Sequence, residues 1–193
     1  MQRSTVRQGT GDHDCSSLAH CPLIAQRAGP QTCTDWMIYD QASFNSLNNG
    51  SIHNLKAAFT FLSEQPGVDE SRLGAVGYYL GGMFAVRRAC TDDRLKAIAP
   101  YYATNPRPLK AVARLCPVVG SYPGNDFTAS SGRKLDVELD RYNVPHDIKI
   151  YPGAKHSFFN DTLRDNYNES SAQDSWRRVL GFFGERIGAK AEV

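Results

Sequence analysis

Apolar positions are scattered over the first fifty residues and become periodic only after them. Ile52, Leu55, Phe59 and Leu62 recur at three- and four-residue intervals, which lines one face of an α-helix, and Gln65-Pro66-Gly67 ends it. Leu73-Gly74-Ala75-Val76-Gly77-Tyr78 reads as a short buried strand, and Gly81-Gly82 opens a helix predicted to reach about Cys90. Further strands are predicted over Lys96–Tyr102, Cys116–Tyr122 and His146–Tyr151, the last ending at Pro152-Gly153. A helix is predicted over Ala129–Tyr142 with Leu135, Leu139 and Tyr142 on one face. A final helix is expected to bury Trp176, Val179, Leu180, Phe183 and Ile187.

Strands alternating with helices of this length imply βαβ units, hence an α/β fold with a mostly parallel sheet flanked by helices. Residues 51–193 form this domain. Residues 1–50, rich in Gln, Ser, Thr, Asn and Asp, read as an irregular N-terminal segment, either loosely ordered or contributing one short strand around Trp36–Tyr39. In parallel sheets, function gathers at the carboxyl ends of the strands.

Composition narrows the function classes. The 22 basic and 20 acidic side chains leave a net charge of +2, with no basic run, so nucleic acid is not an expected partner. No apolar stretch approaches the ~20 residues needed to span a bilayer, and no apolar region follows Arg3 and Arg7 as a secretory signal would require. Five irregularly spaced cysteines fit a reducing cytoplasm, the expected location. Cys15, Cys21 and Cys33, with His13 and His20, lack a Cys-x₂₋₄-Cys pair, so no metal is expected there. Neither GxGxxG nor GxxxxGK[ST] is present to cradle a phosphate.

Three places carry unusual chemistry. Tyr79 lies between a strand and a helix with Gly77 two residues before it and Gly81 two after, the spacing of a nucleophile elbow, whose strained turn crowds strand against helix. The N–H of Leu80, just beyond, would face a developing oxyanion. A glycine-rich turn with packing value only is the competing reading. Asp126 and His156 each follow a strand, so both fall near the elbow. Their order after it is that of a Ser/Cys–Asp–His set, in which a neutral imidazole takes the nucleophile's proton and a carboxylate fixes its tautomer. Singly, Asp126 could cap the following helix and His156 could be a solvated loop residue.

At these residues the chain resembles the dienelactone hydrolase family of α/β-hydrolases, from about Asn54 to Ile187, with a weaker beginning near Trp36. The resemblance is carried by Gly74-Ala75-Val76-Gly77-Tyr78-Tyr79-Leu80-Gly81-Gly82 and Tyr151-Pro152-Gly153-Ala154-Lys155-His156-Ser157-Phe158, with Asn160-Asp161, Tyr167 and Trp176. It implies an α/β-hydrolase fold and hydrolysis of a small-molecule ester or lactone without metal or organic cofactor, by a Cys–His–Asp triad. Tyr79, Asp126 and His156 take the triad's places, and Leu80 and Gly81 border the substrate. Two departures follow. Tyr79 stands where the family has cysteine, and the strand-rich start that supplies a glutamate and the second oxyanion donor is not found in residues 1–50. The first strands are therefore expected to be missing.

A phenol is ionised to only ~0.1% at pH 7, and its oxygen lies at the far end of a rigid ring. Cys90, eleven residues along the helix, and Cys116, at the opposite end of its strand, are too far away to replace it. The expectation is a hydrolase impaired at its nucleophile. The alternative is a non-catalytic protein that binds small molecules in the same cleft, with Tyr79 as an aromatic wall. A third reading holds that residues 1–50 are foreign to the fold, leaving a strand edge exposed.

Overall fold

A computed structural model describes Leu47 and residues 50–188. The short strand expected around Trp36–Tyr39, and His13, Cys15, His20, Cys21 and Cys33, lie outside the described residues.

Helix α1 (Gly50–Ser63) precedes strand β1 (Leu73–Tyr78), helix α2 (Leu80–Ala89), strand β2 (Leu95–Tyr101), strand β3 (Val118–Asn125), helix α3 (Ala129–Arg141), strand β4 (His146–Lys155) and helix α4 (Glu169–Ile187). The strands form one parallel sheet in the order β1-β2-β3-β4. The side-chain period of two divides the core between its faces. Ile98, Val118, Ile148 and Ile150 meet Val86 and Ala89 of α2 and Leu135 and Leu139 of α3. On the other face Ala99, Tyr101, Val119 and Tyr151 meet Val179 of α4 and Phe158. This is the expected α/β architecture, with helices on both faces.

Two details differ from the sequence reading, both for packing reasons. Tyr142 is the C-cap residue of α3 and stays 37% exposed; the helix buries Leu135 and Leu139. Helix α4 buries Ser171, Ala172, Ser175 and Val179, while Trp176 and Leu180 are 40% and 56% exposed. The sheet beneath α4 presents the large rings of Tyr101 and Tyr151, so small residues let the helix approach. Ser175 satisfies its own hydroxyl by donating to the Ala172 carbonyl at 2.9 Å. Only Phe183 and Ile187 of the other predicted residues reach the sheet, half-buried beside Gly74. Arg178 then ties α4 to the strands, donating to Asp147 Oδ2 at 2.9 Å, Tyr151 Oη at 3.1 Å and Ser121 Oγ at 3.2 Å.

A third difference bears on the site. Strand β4 continues through Pro152-Gly153 to Lys155 instead of stopping there. Gly153 takes φ +75°, a conformation glycine adopts without steric cost, and the register with β3 shifts between Pro123 and Asn125. The pairing resumes at Asn125–Lys155, so both strands end level with each other.

Candidate active site

Because β3 and β4 end level, the next residue on each, Asp126 and His156, emerges at the same height above the sheet. The Nδ1 atom of His156 lies 2.8 Å from Asp126 Oδ2. The Asp126 side chain is 6% exposed and that of His156 28%. Burial alone would raise the Asp126 carboxyl, but hydrogen bonds from Thr128 and from His156 outweigh it and hold it below its ordinary value. An ionised carboxylate can only accept, so Nδ1 carries the proton and the Nε2 lone pair is left as the basic site. Asp126 does not cap α3; that position belongs to Thr128.

The elbow is built as its spacing requires, with one correction. Tyr79 has φ 49° and ψ −110°, a strained conformation for a non-glycine residue, costing about 1–3 kcal/mol. Its N–H donates to the Tyr101 carbonyl at 3.0 Å, and its carbonyl accepts from Met83 N–H at 2.9 Å, opening α2. An added Cβ at Gly77 would fall 2.3 Å from the carbonyl carbon and oxygen of Gly81, and one at Gly82 would fall 2.8 Å from Gly77 O. A Cβ on Gly81 would meet open space. The crowded pair is therefore Gly77 and Gly82; Gly81 contributes its backbone. Leu80, the first residue of α2, has an N–H without a partner in a preceding helical turn, at the end of the helix that carries partial positive charge.

The half-buried Tyr79 ring meets the His156 ring edge-on, with centroids 4.9 Å apart at 88°. Phe127 stacks on the imidazole at 5.7 Å and 13°, and Tyr102 closes another side at 5.0 Å. The structure thus brings Tyr79, Leu80, Gly81, Asp126 and His156 to the carboxyl end of the sheet. The sequence reading missed Phe127, Tyr102 and Thr128. The Asp-x-Thr spacing after a strand is a signal that could have found Thr128; nothing in the chain marked Tyr102. Cys90 and Cys116 are elsewhere, and burial pushes each thiol up to about 12.

The profile of the dienelactone hydrolase family matches residues 21–187. The chain belongs to the dienelactone hydrolase family. A candidate carboxymethylenebutenolidase of Saccharolobus solfataricus is 36% identical over 127 residues, covering 65% of this chain and 48% of that protein. One of Escherichia coli (strain K12) is 30% identical over 181 residues, 88% of this chain and 59% of the relative. The crystal structure of a candidate dienelactone hydrolase from Klebsiella pneumoniae subsp. pneumoniae MGH 78578 superposes with a TM-score of 0.62 at 27% identity, over 69% of this chain and 60% of that one. The chain thus spans about half the length of the first curated relatives it matches. The family match begins at residue 21, ahead of both Asn54 and Trp36, and ends at residue 187, where the resemblance is expected to end. Among the described residues no helix is long and apolar enough to cross a membrane, and no three His, Cys, Asp or Glu side chains gather as a metal site.

A pH dependence follows for this family member. The depressed Asp126 carboxyl contributes stability that is fully present above its unfolded value, roughly 3.9, and is lost as pH falls through the lower folded value. Unfolding by urea between pH 5 and 2.5 should therefore show the natural chain losing stability more steeply than Asp126→Asn. Equal slopes would mean that the carboxylate gains nothing from its partners on folding.

Proposed function

We propose that the chain carries the acid–base half of an ester- or lactone-hydrolysing site, and that Tyr79 occupies the nucleophile's place so that hydrolysis is strongly impaired. The observation behind this reading is the left-handed backbone of Tyr79 at the elbow, with its ring against the imidazole that Asp126 orients.

In a working site of this kind a side chain at position 79 gives its proton to Nε2 of His156 and attacks the ester carbonyl. The oxyanion forms against the Leu80 N–H. The imidazolium returns the proton to the departing alkoxide, and water hydrolyses the acyl group by the same route. A tyrosine interrupts the first step. Among the described residues no hydrogen bond joins Tyr79 to His156, and its ring fills space that a substrate carbonyl would enter.

Loss of the nucleophile in a comparable triad leaves about 10³–10⁴-fold catalysis over water. The natural chain should hydrolyse an activated aryl ester at no more than that level, and Tyr79→Phe should match it within about twofold, since the phenol oxygen contributes nothing. Turnover of about 10 s⁻¹, an ordinary enzymatic rate, abolished by Tyr79→Phe, would make Tyr79 a working nucleophile and end this reading.

The rings of Tyr79, Tyr102 and Phe127 around His156 favour a second reading, a cleft that binds a small lactone or ester without turning it over. In the same preparation, saturable quenching of tryptophan fluorescence by a lactone that is recovered intact supports it; no quenching at any concentration counts against it.

A further inference from the structure

Thr128 is the N-cap residue of α3, where a threonine hydroxyl ordinarily accepts a hydrogen bond from an N–H two or three residues on. It makes no such bond. The hydroxyl donates instead to Asp126 Oδ2 at 2.5 Å, the same oxygen that accepts the His156 Nδ1–H at 2.8 Å. Thr128 is fully buried, so its hydroxyl is held away from solvent and against the carboxylate. Its neighbour Ser130 behaves in the usual local way, bonding to the Phe127 carbonyl. A helix start has thus given up its cap to direct one carboxylate. The backbone N–H of Thr128 reaches that carboxylate as well.

We infer that Thr128 is a positioning residue whose hydroxyl sets the direction of the Asp126 carboxylate and, through it, the tautomer and tilt of the His156 ring. This role rests on Asp126 and His156 being the acid–base pair proposed above. Two donors converging on one oxygen fix the carboxylate about both of its side-chain torsions, whereas the imidazole alone could swing with it. The imidazole is then held from three consecutive residues: Asp126 by the hydrogen bond, Phe127 by the stacked ring, and Thr128 by locking Asp126.

The test compares Thr128→Val, which keeps the buried shape and the backbone N–H, with Thr128→Ser, which keeps the hydroxyl. Histidine-labelled NMR of the natural chain should show His156 as the Nδ1–H tautomer, with a downfield, slowly exchanging proton. Thr128→Val should lose that signal and mix the tautomers; Thr128→Ser should retain it. A purely structural role would alter the melting temperature and leave the tautomer unchanged. In a Tyr79→Cys background, Thr128→Val should lower kcat about tenfold, one hydrogen bond's worth, with KM unchanged and Thr128→Ser restoring it. If Thr128→Val does not fold, Thr128→Ala gives the same comparison. A natural Nδ1–H signal in the valine or alanine variant overturns the positioning role whatever the kinetics. Loss of the signal, in a chain whose Tyr79→Cys form stays inactive, upholds the role and overturns the hydrolase reading instead.

Discussion

Replacing Tyr79 by cysteine is expected to raise turnover of an activated aryl ester by about 10³-fold or more over the natural chain. The estimate starts from the cost of a missing nucleophile, on the order of 10⁶ in kcat for a comparable triad, and reserves part of it for the oxyanion donor not found in residues 1–50. The substitution does two things at once. It withdraws a ring from the space beside His156, where the two rings now touch edge-on at 4.9 Å. It also presents a thiol, at the same left-handed backbone position, to an imidazole already anchored at Nδ1. Cysteine is no better suited than tyrosine to φ 49°, so the elbow should neither gain nor lose much strain. The measurement is a burst of acyl-enzyme followed by turnover, abolished by alkylating one thiol per chain and by His156→Gln. A rise of less than tenfold in a variant whose circular dichroism matches the natural chain would show that the acid–base pair no longer serves catalysis.

The second large effect is structural. Gly77→Ala should destabilise the fold by about 3 kcal/mol or more, a large part of the 5–15 kcal/mol by which domains are usually stable. The added Cβ would sit 2.3 Å from Gly81 C and O and 2.5 Å from Gly82 N, all backbone atoms, so no rotamer change can relieve it. Gly81→Ala is the control. Its Cβ meets nothing within 4 Å, and in the first turn of α2 alanine gains up to about 1 kcal/mol over glycine. Urea unfolding of both variants tests how the turn is built. Equal midpoints would show that strand and helix do not crowd at Gly77.

The alternation of strand and helix, and the position of Asp126 and His156 after strands, could be read from the chain because each rests on local signals: short apolar runs, Gly and Pro punctuation, and chain order. What could not be read depends on partners far away in sequence. Strand β4 runs past Pro152-Gly153 because β3 offers a register shift at Pro123 that only the pairing reveals. Helix α4 buries Ala172 and Ser175 in preference to Trp176 and Leu180 because Tyr101 and Tyr151 already fill the sheet face beneath it. The crowding assigned to Gly81 belongs to Gly82, a difference of one residue that turns on where each Cβ would point. Thr128 stands at Asp-x-Thr spacing after Asp126, a local signal that the sequence reading passed over; the geometry shows its hydroxyl turned away from the helix N–H groups and toward the carboxylate.

The level ends of β3 and β4 place proton donor and acceptor thirty residues apart on a single crossover unit. Position 79 lies on another, anchored through its own amide to β2. The elbow position and the Asp126–His156 pair are therefore held by separate parts of the fold. On the function proposed above, a chain can exchange the first without loosening the second: with tyrosine at the bend, the His156 imidazole keeps its bond to Asp126 and meets a ring edge.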